Sequence, residues 1–262
     1  MSDVSAHATD LEAGELVLRG RITSASNATF LGAVGDVSVV YKPIRGERPL
    51  WDFPDGNLAH REVAAYLLSE MTGWNVVPET WLREGPHGTG MVQRWCETDP
   101  EQEAVTLVPA GPGHRIPAGY RHVFDGIGAD DEPVSLIHED TPALRRMAVF
   151  DVLANNADRK GGHVLEMRDG HRFGCDHGLT FHREPKLRTV LWGWTGEPLT
   201  TEETEVVRRV RAGLDGDEGD RLGEYLAFWD IEALAERCDA LLARGTMPEP
   251  AGDWHVIPWP PF

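Results

Sequence analysis

Two side chains stand where phosphate and metal chemistry would need them. Lys42 closes the apolar run Val37-Ser-Val-Val-Tyr41, and the chain has only three lysines, Lys42, Lys160 and Lys186, against 22 arginines. A scarce ammonium at the end of a strand-like run is a candidate point charge for an anionic group. Asp176 follows the run His171-Arg-Phe-Gly-Cys175. A carboxylate at the end of a strand beside an apolar core is costly unless a cation or hydrogen bonds satisfy it. An amine for phosphate and a carboxylate for a divalent metal are what nucleotide phosphoryl transfer asks of a protein, so the pair points to an ATP-dependent phosphotransferase. The histidines around Asp176 (His163, His171, His177, His182) invite a second reading, a zinc or di-iron hydrolase ligated by Asp158, His163, Asp176 and His177. No H-x-x-x-H or H-E-x-x-H helix spacing supports it, and no P-loop, G-x-S-x-G or G-x-G-x-x-G element occurs.

The elements that must position these residues are legible from pattern. β-Branched and apolar runs at 15–22, 29–31 and 36–41 read as an antiparallel sheet. Asp55-Gly-Asn57 offers a helix N-cap, after which Ala59, Val63, Tyr66, Leu67 and Met71 recur at helical spacing until Gly73 stops the helix. Residues 76–82 and 90–95 read as two more strands, and the Pro/Gly-rich stretch 109–132 as the least regular part of the chain. Thr141 and Pro142 then open a helix that is apolar on most sides to Ala154, which places it in a core. Short strands at 164–167 and 171–175 pair around Asp169-Gly170. The remainder reads as helical, with a Thr200-x-x-Glu203 capping box, a segment 220–229 and an Asp230-capped helix to Arg244, followed by an irregular Pro/Trp-rich strap from 248 to 262.

With 262 residues and 41% apolar content, the chain can fill a sizeable core. A formal charge of −18 repels polyanions, so nucleic acid and anionic membrane surfaces are poor partners. Cys96, Cys175 and Cys238 are odd in number and far apart, which supports neither a disulfide framework nor a thiolate zinc site and fits a reducing cytoplasm. The first eleven residues show no signal pattern, and no apolar run approaches the roughly 20 residues a membrane span needs, so a soluble intracellular protein is expected.

The loop Asp158-Arg-Lys-Gly-Gly-His-Val-Leu165 and the element Phe173-Gly-Cys-Asp-His-Gly-Leu-Thr-Phe181 resemble the catalytic and metal-binding loops of the phosphatidylinositol 3-/4-kinase-like branch of the protein-kinase fold. The type II phosphatidylinositol 4-kinases and HipA-type serine kinases are the familiar relatives, and the chain also resembles an uncharacterised actinobacterial phosphatidylinositol kinase-like family. The likeness runs from about residue 20 to 182. It implies an α+β, two-lobed protein-kinase-like fold, with an N-lobe of antiparallel sheet plus one helix (1–96) and a mainly helical C-lobe (97–262). It makes Lys42 the phosphate-binding lysine and Glu62 its ion-pair partner. Asp158 becomes the catalytic aspartate that serves the acceptor hydroxyl, and Asp176 the metal ligand. The turn bearing Ser26, Asn27 and Thr29 stands where a phosphate loop would be, and Gln93 and Trp95 lie in the segment that would offer backbone groups and packing to adenine.

One departure stands out. His163 occupies the position where those kinases carry an asparagine for a second metal. Magnesium prefers oxygen ligands, so an imidazole there implies a single metal, a borderline metal such as manganese, or a histidine that donates to phosphate. The expected cofactors are ATP with Mg2+ or Mn2+. Because the chain is acidic throughout, a soluble small molecule or protein hydroxyl is favoured over a lipid as acceptor. The alternative function is a nucleotide-binding pseudokinase that regulates a partner.

Overall fold

The structure, a computed structural model, describes residues 11–23, 27–48, 50, 53, 57–250 and 255–262. It is a mixed α/β protein whose strands are all paired antiparallel within named sheets. The first sheet has the order β1-β2-β3-β5-β4, from β1 (Leu16–Arg21), β2 (Phe30–Val34), β3 (Val37–Pro43), β4 (Thr80–Gly85) and β5 (Gly88–Arg94). Alternation along β3 buries Val39, Tyr41 and Pro43, so Ser38, Val40 and Lys42 take the other face. Val39 and Tyr41 pack with Leu16, Val34 and Val92 in a small core of the sheet.

Between β3 and β4 the chain forms α1 (Leu58–Thr72), capped at one end by the Asn57 side chain on the His60 N–H and closed at the other by Gly73 in the left-handed region. A second cap lies outside the helix: the Glu47 carboxylate accepts the N–H groups of Leu58 and Ala59 at 2.9 and 2.8 Å. α1 is buried on nearly every side, because it packs against β4 and β5, against the turn after Asp176, and against the rear helices.

The rear part holds α2 (Pro142–Ala154), α3 (Thr201–Gly213), α4 (Asp217–Gly223) and α5 (Phe228–Arg244) around a core that includes Leu68, Phe150, Leu153, Phe181, Trp194 and Leu234. Thr141 caps α2 with Pro142 in the first turn, and the Thr200–Glu203 capping box is formed at both of its hydrogen bonds. Two expectations need correction. The second half is less helical than expected: it also holds a three-stranded sheet, β6-β8-β7, of β6 (Val105–Pro109), β7 (Tyr120–Ile127) and β8 (Pro133–Glu139), and β7 is a strand inside the stretch 109–132 that was expected to be irregular. Asp230 is not a cap either; α5 begins at Phe228, and buried Asp230 pairs with Arg61 of α1 at 3.3 Å. The short hairpin of β9 (Val164–Glu166) and β10 (Arg172–Gly174) forms as expected. Among the described residues no helix is long and apolar enough to cross a membrane.

Candidate active site

Lys42 leaves the end of β3 and meets two carboxylates. Its Nζ donates to Glu62 Oε1 at 2.8 Å and to Asp176 Oδ1. The second oxygen of Glu62 accepts the His177 N–H at 2.9 Å. One helix carboxylate therefore ties the strand lysine to the turn that carries Asp176. Burial opposes the Lys42 ammonium, but the charges of Glu62 and Asp176 outweigh it and raise its pKa above the ordinary lysine value. In return the Lys42 charge holds Asp176 well below the usual carboxylate range, against the effect of burial. Asp176 itself sits at φ 56°, ψ 54°, a left-handed conformation that aspartate tolerates better than most residues. That kink turns its carboxylate out of the line of β10.

His163 and Asp158 face the same space. The His163 Nδ1 lies 2.8 Å from the Asp158 backbone carbonyl, which can only accept, so Nδ1 carries the proton. Nε2 is then a bare lone pair 3.6 Å from Asp176 Oδ2. Burial pushes the His163 pKa down to about 4, with Asp176 opposing, so the ring is neutral at pH 7. A lone pair and a carboxylate oxygen facing each other across a gap too long for a hydrogen bond are a donor set for a cation. No cluster of three or more His, Cys, Asp or Glu that could hold a metal occurs among the described residues. His163 Nε2 and Asp176 Oδ2 alone would supply two ligands to a cation, which suits an ion that takes most of its coordination from outside the protein. The Asp158 side chain lies 3.6 Å from Lys160 Nζ, and burial raises its pKa despite the pull of Lys160 and Arg188.

These groups line one cavity of about 490 Å³, together with Asn27, Thr29, Glu47, Arg48 and Lys160. That size suits a small-molecule ligand. The structure thus brings together Lys42, Glu62, Asn27, Thr29, Asp158, His163 and Asp176. Ser26 lies outside the described residues. Gln93 and Trp95 are not brought to the cavity: Gln93 is buried between β3 and β4 with its amide donating to Thr80 Oγ1 at 2.9 Å, and the Trp95 indole N–H reaches Glu97. The backbone N–H groups of Arg94 and Trp95 are committed to Glu79 O and Ser38 O. A hinge offering backbone groups was expected there, but pairing with Glu79 and Ser38 takes up those two N–H donors.

Sequence reading overlooked the buried charge pair that holds the loops. Arg159 is fully buried and donates to both oxygens of fully buried Asp151 in α2, at 2.8 and 2.9 Å. It also donates to His177 Nε2 at 2.7 Å and to the His163 carbonyl at 3.2 Å. A single guanidinium therefore staples the Asp158 loop to the Asp176 turn. Gly174 makes room for it, since a Cβ there would lie 2.8 Å from the guanidinium nitrogens. The missed signal was Asp151, one acid inside a helix that is otherwise apolar along its buried side; such a charge needs a buried partner. Asn156 completes the loop, donating to Asp151 and accepting the Asp158 N–H.

Fold and cavity together define a mixed α/β protein with antiparallel sheets and a site where one lysine meets paired carboxylates. No family model matches the chain, so the phosphatidylinositol 3-/4-kinase resemblance remains with the loops that carry it. The chain is 48% identical over 260 residues to Protein Rv2133c of Mycobacterium tuberculosis (strain ATCC 25618 / H37Rv), covering 95% of this chain and 93% of that protein. It belongs to the family of that mycobacterial protein. Among solved structures, the Helicobacter pylori proinflammatory kinase CtkA superposes with a TM-score of 0.45 at 11% identity, covering 91% of this chain and 94% of the other. At that score the likeness is too loose to define a fold.

Proposed function

We propose that the protein is an ATP-dependent phosphotransferase of kinase type that moves the γ-phosphoryl group to a hydroxyl acceptor. The observation that carries this reading is the convergence of Lys42, Glu62, Asp158, His163 and Asp176 on one cavity from four separate stretches of chain. Phosphoryl transfer asks for clamped phosphates, neutralised charge and an aimed hydroxyl, and little covalent help. Lys42 is the clamp, held in place by Glu62. Asp158 receives or orients the acceptor proton; burial raises its pKa, which makes it a stronger base than a fully solvated carboxylate. Asp176 and His163 are the protein ligands of one Mg2+ or Mn2+, which when bound supplies charge neutralisation at the phosphates. Lys160, beside Asp158, adds a second cation to the phosphate side of the cavity. On this reading the fold is two-lobed, with the cavity between a front sheet-plus-helix unit and the rear helices, and the acceptor is soluble rather than a lipid.

The test is ATP turnover by Asp158→Asn and Asp176→Ala proteins that keep wild-type circular dichroism. Both are expected to lose turnover by orders of magnitude, and full activity in either folded variant would end the assignment. A second reading, a nucleotide-binding pseudokinase that regulates a partner, is favoured by one feature: the Asp176 carboxylate is engaged by Lys42, with a neutral imidazole where an oxygen ligand is expected. Nucleotide-dependent thermal shifts without turnover under Mg2+ and Mn2+ would select that reading.

A further inference from the structure

A second cavity, of about 480 Å³, opens between α5, the segment 183–187 and the chain around Trp192 and Val256. It shares no lining residue with the cavity around Lys42. Its lining is of two kinds: Trp192, Leu187 and Leu241 are apolar, and Arg183, Lys186, Arg237 and Arg244 bring four cations against the acids Glu236 and Glu249. That balance reverses the chain as a whole, which has 43 acidic and 25 basic residues. Cations gathered on a strongly acidic protein need a local reason.

Arg237 shows how the gathering is built. Its Nε donates to the Leu153 carbonyl at 2.8 Å and its Nη1 to the His182 carbonyl at 3.3 Å, so the guanidinium is fixed by main chain at the end of α2 and after the Asp176 turn. Its Nη2 is shielded from water and has no hydrogen-bond partner among the described residues. Carbonyl dipoles hold the cation without neutralising it, and burial draws its pKa down to about 10. Arg183 and Arg244 stand exposed at the rim. The fixed charge of Arg237 behind the wall, with Arg183 and Arg244 exposed at the mouth, makes this cavity positive beside apolar lining, which suits an acidic group attached to a hydrophobic body.

We propose that this cavity is a second ligand site, separate from the phosphotransfer site, for a small organic anion with one acidic head on an apolar body. The head lies toward Arg237 and Arg244, and the body against Trp192, Leu187 and Leu241. Neither nucleotide nor turnover is required, so the inference stands or falls independently of the proposed activity.

Titration of the full chain with 8-anilinonaphthalene-1-sulfonate tests it, because that probe joins a sulfonate to an aromatic body and brightens when buried. One saturable site is expected, and it should persist in Lys42→Ala. The neutral N-phenyl-1-naphthylamine should bind at least tenfold more weakly. Charge reversal at the exposed rim, in Arg183→Glu and Arg244→Glu, should weaken the sulfonate at least fivefold, and Arg237→Gln, checked for folding by circular dichroism, more strongly still. Displacement by decanoate would point to acyl anions, and displacement by 1-naphthoate to aromatic ones. Absence of saturable binding, equal affinity for the neutral probe, wild-type affinity in both rim variants, or loss of binding in Lys42→Ala would each overturn the proposal.

Discussion

At the scale of single residues, His163 is the group that would set the metal preference of the proposed site. Its Nδ1 proton is fixed by the Asp158 carbonyl, leaving Nε2 as a nitrogen lone pair beside Asp176. Nitrogen ligands favour Mn2+ over Mg2+ relative to the oxygen of a carboxamide. His163→Asn is therefore expected to lower the ratio of Mn2+-supported to Mg2+-supported turnover severalfold while leaving nucleotide binding in place; an unchanged ratio would remove His163 from the ligand set. The residue scale is also where the sequence was most readable. Lys42, Glu62, Asp158 and Asp176 stand out through rarity, position at strand ends or resemblance, and all four reach one cavity. Arg159 did not stand out, because a sequence with 22 arginines hides the one whose charge is wholly buried.

At the scale of elements, the pair Asp151–Arg159 joins α2 to both site loops. Both side chains are fully inaccessible to solvent. Removing one partner of a buried pair strands the other charge, at a cost of roughly 3–5 kcal/mol, whereas replacing both by apolar groups of similar size is far milder. Arg159→Met should lower unfolding stability by about that amount, and Asp151→Leu combined with Arg159→Met should recover much of it, as measured by urea denaturation. Turnover should stay low in the double variant, because the contacts to His177 and to the His163 carbonyl are still gone. A second element carries a pH dependence. His138, buried on β8, accepts the Gly193 N–H at Nε2 and places Nδ1 against the Glu139 carbonyl, which requires the neutral ring. Burial depresses its pKa from 6.5 to about 4. A histidine depressed in the fold binds its proton more readily when unfolded, so its contribution to stability is present above pH 6.5 and is lost as pH falls toward 4. The slope from this one group is at most about 1.4 kcal/mol per pH unit. In His138→Gln the fall in stability between pH 6.5 and 4.5 should be shallower than in wild type, and an equal slope would contradict this account. β8 also shows why the three-stranded sheet escaped sequence reading. β6 and β7 are its edges, where Pro109 and the exposed positions of β7 are tolerated, and a register shift between His122 and Phe124 breaks the alternation. Helices were easier to read because caps at Asn57, Thr141 and Thr200 mark their starts locally.

At the scale of the whole molecule, charge is distributed in two ways that respond oppositely to salt. The net charge of −18 is spread over the chain and acts as diffuse self-repulsion in the folded state, which counterions relieve. Exposed ion pairs such as Arg211 with Asp215 and Asp239 lose attraction under the same screening, but such pairs contribute little at any salt. The buried Asp151–Arg159 pair and the Lys42–Glu62 contact lie largely out of reach of the ion atmosphere. Relief of repulsion therefore outweighs loss of attraction, and the melting temperature should rise as NaCl increases from about 0.01 to about 0.3 M, where the Debye length shrinks from roughly 30 Å to below 10 Å. The rise should level off above that range, since repulsion shorter than the screening length is all that remains. Neutralising the exposed acids Asp215 and Asp239 together with Arg211 moves the net charge by only one unit and removes pairs that contribute little, so the rise with salt should persist nearly unchanged, and turnover should be unaffected because none of the three lines the Lys42 cavity. A melting temperature that is flat or falls with NaCl would mean that exposed ion pairs, rather than net repulsion, dominate the electrostatics of this fold.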